Sequence, residues 1–502
     1  MKQKNLSTYD LRAQDWRNGA VIYQVLVDRF APTKDINQKK DLYQKPKILK
    51  TWDEKPKPGK FLEDAKYWSH ELEYWGGDLD SLLSKISYLK NLNVDVLYLN
   101  PIFESLSNHK YDASDYLKIS KEYGNFEDLK NLTDACHKLG MKVMLDGVFN
   151  HVGVENELFQ KALNGDKTYK DWFDFDDKYP EGVRLWADAK SLPELNLEND
   201  VVKNYIYKNE NSVLKTYLNL GIDGWRLDVA FDLGYQILKD LTDEAHKTKE
   251  GSMIVGEIWN YPNKWLKSID GVMNFTLREI IYRSINQELS SKIAIKMIKK
   301  MIEDAGIESI LKSWNVLDNH DVRRLYSQLS LKQDIKIAQV MQFMLPGSPN
   351  LYYGTELGMT GIEDPENRAP MRWDLLKDDN LSYQWTKKLI QLHHQHRALK
   401  IGDFRCIISE KLFAFERYTD KVEDTVLVII NQTDEVVEES MLVTNSDLMN
   451  YTGFEVILGD AISSQFLAGF LRIKLDKKAF IVLKPDIKVE KSYTPYKRII
   501  GV

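Results

Sequence analysis

The sequence predicts an α/β protein: a closed (β/α)8 TIM barrel, a small domain inserted after its third strand, and a C-terminal antiparallel β-sandwich. Three observations predict it. Eight short apolar runs recur before residue 400 of the 502-residue chain. Amphipathic stretches with helical spacing lie between several of them. Beyond about residue 400 the helical stretches give way to β-rich runs separated by turn residues. Strands alternating with helices imply parallel pairing and right-handed crossovers, and eight such units close into a barrel.

The first strand is VIYQVLVDRF from Val21, and the second is DVLYLNP from Asp95. KVMLDGVF, GWRLDVA and MIVGEI follow from Lys142, Gly224 and Met253. GVMNF, NVLDNH and NLYYGTE, from Gly271, Asn315 and Asn350, complete the set. SLLSKISYLKNLN, ahead of strand two, has helical spacing. FEDLKNLTDACHKLG, ahead of strand three, ends at Gly140, a typical helix stop. These runs assign residues 1–151 and 193–400 to the barrel, 152–192 to the insertion, 401–485 to the sandwich and 486–502 to a polar tail. Two connections are long. Residues 31–75 are rich in Lys and Pro and fit a solvated surface loop. Residues 152–192 are rich in aromatics and acids. Both follow barrel strands, so both would crowd the C-terminal mouth of the barrel, where active sites are built.

A net charge of -6 gives no reason to expect nucleic acid as a partner. No apolar run is long enough to span a membrane, and MKQKNLSTYDLRAQDW has no apolar stretch of signal-peptide length. Cys136 and Cys406 show neither metal nor redox spacing, and Cys136 fits a small core residue in a helix. A soluble, cytoplasmic protein is expected. Neither G-x-G-x-x-G nor a Walker-type loop occurs. The HHQH run at 393–396 fits a solvated helix face better than a metal site. The 12 Trp suit core packing, and some of them suit platforms for the apolar face of a sugar ring.

Three acids stand at predicted strand ends: Asp228 in GWRLDVA, Glu257 in MIVGEIW and Asp321 in NVLDNHD. Arg226 is two residues before Asp228, so both side chains point the same way from a strand. Such an Arg favours the ionised carboxylate that a nucleophile needs. Alone, the pair also fits a structural ion pair. Glu257 precedes Trp259, and a carboxyl in poorly solvated surroundings keeps its proton more readily, which suits a general acid. Asn319 and His320 adjoin Asp321, and a similar cluster, Asp146, Asn150 and His151, closes strand three. Several carboxylates with no cofactor suit glycosidic bond cleavage.

The segments DGVFNH, GWRLDVA, GEIW and LDNHD, with LPELN at 192–196, resemble the motif regions of the α-amylase superfamily, glycoside hydrolase family 13. YQVLVDRF, NHKYDASDY, LPGSPNLYYGTELGM and DPENRAPMRWD extend the similarity over residues 16–480. The resemblance implies that Asp228 is the nucleophile, Glu257 the acid/base and Asp321 the transition-state stabiliser. It implies that Arg226 fixes the nucleophile, that His151 and His320 bind hydroxyls of the reacting sugar, and that Tyr111 is the platform beneath it. Asp364 and Arg368 would hold the next sugar on the non-reducing side.

GEIW, DGVMNF, NHKYDASDY and DPENRAPMRWD are most similar to the neopullulanase, cyclomaltodextrinase and maltogenic amylase group. The implied activity is retaining hydrolysis of α-1,4, and also α-1,6, bonds in malto-oligosaccharides and cyclodextrins, with transglycosylation. An exo-acting α-glucosidase or an endo-acting amylase is the alternative. That group usually carries a β-sandwich ahead of the barrel. Strand one begins here at Val21, which leaves the oligomeric state open. No cofactor is required. A calcium ion, which the family often holds near residues matching Asp28, Gly77 and Asp78, is not favoured, because APTKDINQKK lacks the usual Asn-Gly-Asp pattern.

Overall fold

The computed structural model describes residues 6–449 and 453–487, so the predicted tail lies almost wholly outside the described residues. Eight parallel strands close a barrel. They are β1 (Ile22–Val25), β2 (Val96–Leu99), β3 (Lys142–Gly147), β4 (Gly224–Leu227), β5 (Met253–Ile258), β6 (Gly271–Asn274), β7 (Trp314–Val316) and β8 (Ser348–Tyr352). β1 pairs with both β2 and β8, which closes the ring.

Period-two alternation organises each strand. In β1, Tyr23 and Val25 face the surrounding helices, while Ile22 faces the barrel interior. The interior is packed with Ile22, Val96, Tyr98, Met144, Met253, Val255, Met273 and Trp314. Two residues further along, the inward positions become polar: Gln24, Asn100, Asp146, Arg226 and Glu257, all buried. An apolar plug thus fills the lower barrel, and a polar layer caps it at the strand C-termini.

The helix Phe126–Lys138 buries Cys136 completely and is followed by Gly140 at φ +78°. Burial pushes the Cys136 thiol up to about 12. Native protein at pH 8 is therefore expected to leave this thiol unreacted with a thiol reagent while Cys406, only half-buried, reacts. Two thiols should titrate only after unfolding, and two fast thiols in the native state would refute it. The stretch after Asp78 forms two helices, Leu79–Leu83 and Ile86–Leu92, broken at Ser84–Lys85, where one was expected. Asp78 caps the first through Ser81 N–H at 2.7 Å.

Two other expectations are corrected. Residues 31–75 are no mere solvated loop. Tyr43, Tyr67, Leu72, Tyr74 and Trp75 are buried, Ile48–Leu49 pairs with Glu73–Tyr74, and Lys39 and Lys47 are ion-paired to Asp78 and Glu122. Salt bridges to buried acids fasten a segment whose composition looks solvated. Nor is HHQH a solvated face. His393 is fully buried, with its ring nitrogens 2.9 Å and 2.7 Å from the carbonyls of Phe343 and Gly19.

The segment 152–192 contains helices Glu157–Leu163 and Lys167–Lys170 and packs its own aromatics, with Phe159 and Phe173 5.0 Å apart. Bridges Leu185↔Pro193 and Phe173↔Leu195 tie it to the chain that follows. After the barrel, a five-stranded antiparallel sheet and a three-stranded one enclose a second core. Val426–Asn431 is buried throughout because Leu427 and Ile429 face that core, while Val428 and Ile430 face the barrel side.

Candidate active site

The polar layer opens into a cavity of about 690 Å³ at the C-terminal mouth of the barrel. Seven of the residues singled out from sequence line it: Tyr111, His151, Asp228, Glu257, Asp321, Asp364 and Arg368. Arg226 and His320 stand behind that wall, fully buried, and hold it in place.

Arg226 is the centre of the site. Its Nη1 donates to Asp146 Oδ1 and to Asp228 Oδ1, each at 2.8 Å. Its Nη2 lies 2.9 Å from Glu257 Oε2, an ion pair whose angle falls short of a hydrogen bond. One guanidinium is thus shared by three carboxylates. Asp146 is satisfied further by the Tyr98 and Tyr111 hydroxyls, at 2.6 Å and 2.9 Å. Glu257 Oε2 accepts from Val229 N–H at 3.0 Å, and Oε1 accepts from Trp259 Nε1 at 2.8 Å. Val229 holds a left-handed backbone, φ +40° and ψ 45°, a costly conformation for a β-branched residue and one found at functional sites.

The expectation that Arg226 would hold the Asp228 carboxyl below its usual range is corrected. Burial pushes it well above that range. Arg226 opposes the shift, while Glu257, Asp146 and Asp321 reinforce it. Desolvation is the main cause, and the count of charges adds to it: one cation cannot neutralise so many carboxylates in a dry site. Burial likewise raises Asp321, against Arg368 and Arg226. The site is therefore short of positive charge and favours either a proton or a developing cation at its centre.

His320 is held by the Gln24 and Asn100 amides, whose nitrogens lie 3.0 Å and 3.3 Å from Nδ1. With the amides so oriented, Nε2 carries the proton, 2.6 Å from the Tyr111 hydroxyl and 3.2 Å from Asp321 Oδ1. Burial drives this imidazole far below its usual range, so it is neutral. The Tyr111 and His320 rings lie parallel, 3° apart in plane and 5.3 Å between centroids. His151 is buried and stacked on Trp186 at 5.4 Å, and its Nε2 has no protein partner. A buried polar atom at a cavity wall without a partner is suited to a ligand hydroxyl. Arg368 ion-pairs with Asp364 at 3.2 Å and Asp321 at 3.5 Å. Burial disfavours the Asp364 carboxylate, but Arg368, His109 and His70 outweigh it and hold the carboxyl below its usual range.

Among the described residues no group of three or more His, Cys, Asp or Glu is placed to hold a metal. Asp28 is saturated by Arg29 Nε and by the Trp75 and Gly76 amides, and Asp78 by Lys39. These donors do not suit a cation.

The model for the α-amylase catalytic domain matches residues 24–403. The chain belongs to the α-amylase family of glycoside hydrolases. It is 34% identical over 445 residues to the cyclomaltodextrinase of Geobacillus thermopakistaniensis, spanning 86% of this chain and 71% of that one. It is 31% identical over 455 residues to the intracellular maltogenic amylase of Bacillus subtilis, spanning 88% and 73%. The solved type III pullulan hydrolase of Thermococcus kodakarensis superposes with a TM-score of 0.78 at 26% identity, covering 94% of this chain and 82% of that one.

Within this member of the α-amylase family, sequence reasoning gave Asp146 no site role and passed over Gln24, Asn100 and Trp186. A signal existed for two of them. Gln24 interrupts the apolar run of β1, and Asn100 ends that of β2, both at inward positions. Phe61, Trp68 and Glu71, from the 31–75 connection, and Trp186, Asp188 and Lys190, from the insertion, also line the cavity. No local pattern marked them.

Proposed function

We propose that this enzyme is a retaining α-glucan hydrolase acting on α-1,4, and also α-1,6, bonds of short malto-oligosaccharides and cyclodextrins, in the cytoplasm and without a cofactor. The observation that carries the reading is the sharing of Arg226 by Asp228 and Glu257 on the wall of one cavity. Two carboxyls side by side on one guanidinium leave little room for a water between them, which is the retaining arrangement. Asp228 attacks the anomeric carbon while Glu257 gives its proton to the departing oxygen. Glu257 then takes a proton from the water that cleaves the glycosyl ester, and the α configuration is kept. Asp321 faces the oxocarbenium-like centre, and the shortage of positive charge among these side chains stabilises that cation. His151, His320 and Tyr111 orient the reacting sugar, and Asp364 and Arg368 the next one. The relatives named cyclomaltodextrinase and pullulan hydrolase support the substrate class. The relative named intracellular supports the location.

Proton NMR in the first minutes of maltotriose hydrolysis should show the α-anomer first, and initial β-anomer would overturn the mechanism. A second expectation concerns choice of substrate. Per cleavable bond, kcat/KM for maltotriose should exceed that for soluble starch, because segments 31–75 and 152–192 narrow the mouth of the cavity. Starch as the better substrate would replace this reading with an endo-amylase.

A further inference from the structure

The hairpin of Phe61–Leu62 and Tyr67–Trp68 stands at the catalytic cavity and has no part in the chemistry above. Phe61 pairs with Trp68, and Leu62 with Tyr67. Its base is firmly built. The buried Tyr67 hydroxyl donates to Asp112 Oδ2 at 2.8 Å. Ser69 N–H donates to Lys60 O at 2.8 Å, and Gly59 N–H to His70 Nδ1 at 3.0 Å. The Asn108 amide donates to the carbonyls of His70 and Glu73 at 2.8 Å and 2.7 Å. The tip is held by weaker means. Glu63, exposed, lies 3.8 Å from Lys190 Nζ, which belongs to the insertion that forms the facing wall. Lys190 is also 3.3 Å from Glu181, and Lys66 is 4.0 Å from Glu63. Glu63, Lys66, Trp68 and Lys190 all line the cavity that holds Asp228 and Glu257.

The base of the hairpin lies at the Asp364–Arg368 end. Glu71, just beyond it, is 3.5 Å from His109, and both His70 and His109 are within electrostatic reach of Asp364. The hairpin is thus rooted at the side of the cavity proposed for the non-reducing sugars, and its tip meets the insertion at the cavity wall through Glu63 and Lys190. Geometry makes this consequential. An internal stretch of glucan must continue past the reacting bond in both directions and needs an open trough. A closed ring needs still more clearance. A short linear chain can slide its end beneath a cover. An exposed ion pair is worth little and opens readily, so such a cover is movable rather than sealed.

We propose that this hairpin, strapped to the insertion by Glu63 and Lys190, is a specificity-determining roof over the non-reducing end of the cleft. Ends of short linear oligosaccharides pass beneath it, and cyclic or internal segments enter only while the strap is open. This rests on the hydrolase reading above and adds the device that ranks its substrates.

The test is the ratio of kcat/KM for β-cyclodextrin to that for maltotriose. It is measured in wild type, in Glu63→Gln, and in a variant whose residues 62–66 are replaced by two glycines, with thermal unfolding confirming that each is folded. The ratio should rise about two- to fivefold in Glu63→Gln, the scale of an exposed ion pair, and about tenfold in the tip variant. In wild type it should also rise at about 1 M NaCl, where charges are screened within a few ångströms, and Glu63→Gln should lack that response. An unchanged ratio in the tip variant would overturn the roof. A rise in the tip variant alone, with no effect of Glu63→Gln or salt, would overturn the strap. A wild type that cleaves neither sugar would overturn the hydrolase reading instead.

Discussion

Asp228→Asn is expected to lower kcat on maltotriose by about a thousandfold or more, with the fold retained. An amide cannot form the glycosyl ester, so the loss is chemical. The substitution keeps the shape of the side chain, and its carbonyl oxygen can still accept from Arg226 Nη1, now 2.8 Å from Asp228 Oδ1. It also removes one of three carboxylates that share a single buried guanidinium, which offsets the lost ion pair. KM should therefore move far less than kcat. The measurement is steady-state hydrolysis by protein free of host amylase, beside a thermal melt. Activity within tenfold of wild type would remove Asp228 from the role of nucleophile.

Arg226→Met is expected to cost about 3–5 kcal/mol of stability, because it leaves three buried carboxylates with no cation between them. Methionine fills much of the volume, so the loss is electrostatic and depends on pH. The sign follows from Asp228. Burial already raises its folded pKa above that of the unfolded chain, with Arg226 opposing, and removing Arg226 raises it further. The folded state then binds protons more tightly than the unfolded state. Its stability is fullest below the unfolded pKa of about 3.9 and falls as pH rises through the folded value. The gap between variant and wild type should be wider at pH 7 than at pH 5, read as the urea midpoint. An equal gap at both would show that Arg226 does not balance these carboxylates.

Much of the site was legible because strand alternation is a local rule. Arg226 and Asp228 must share a face once GWRLD is a strand, and the two meet as that rule requires. The order of eight strand runs, with helical stretches between several of them and acids at the ends of three, likewise pointed to a barrel with chemistry at its rim. Gln24 and Asn100 were harder. A single amide at the end of an apolar run carries no meaning until the ring closes and sets both against His320. His393 failed for a related reason. A helical pattern shows that faces exist, but not that a Gly19 carbonyl from another part of the chain covers one of them.

The sequence by itself determined the barrel and the antiparallel domain after it, because period and spacing are local and survive without a fold, while the resemblance of its motifs to the α-amylase family marked the nine residues that gather around the cavity. Only the tertiary structure decided the electrostatics and the shape of the cleft. Asp146 and Glu257 come from two strands and Asp228 from the end of the strand between them, and their competition for Arg226 exists only when those strands are adjacent and water is excluded. The hairpin at 61–68 and the insertion at 152–192 reach the same cavity because both leave the barrel at its C-terminal rim and fold back over it. Desolvation and contact between distant segments are sums over the whole packed molecule, and no window of sequence contains them.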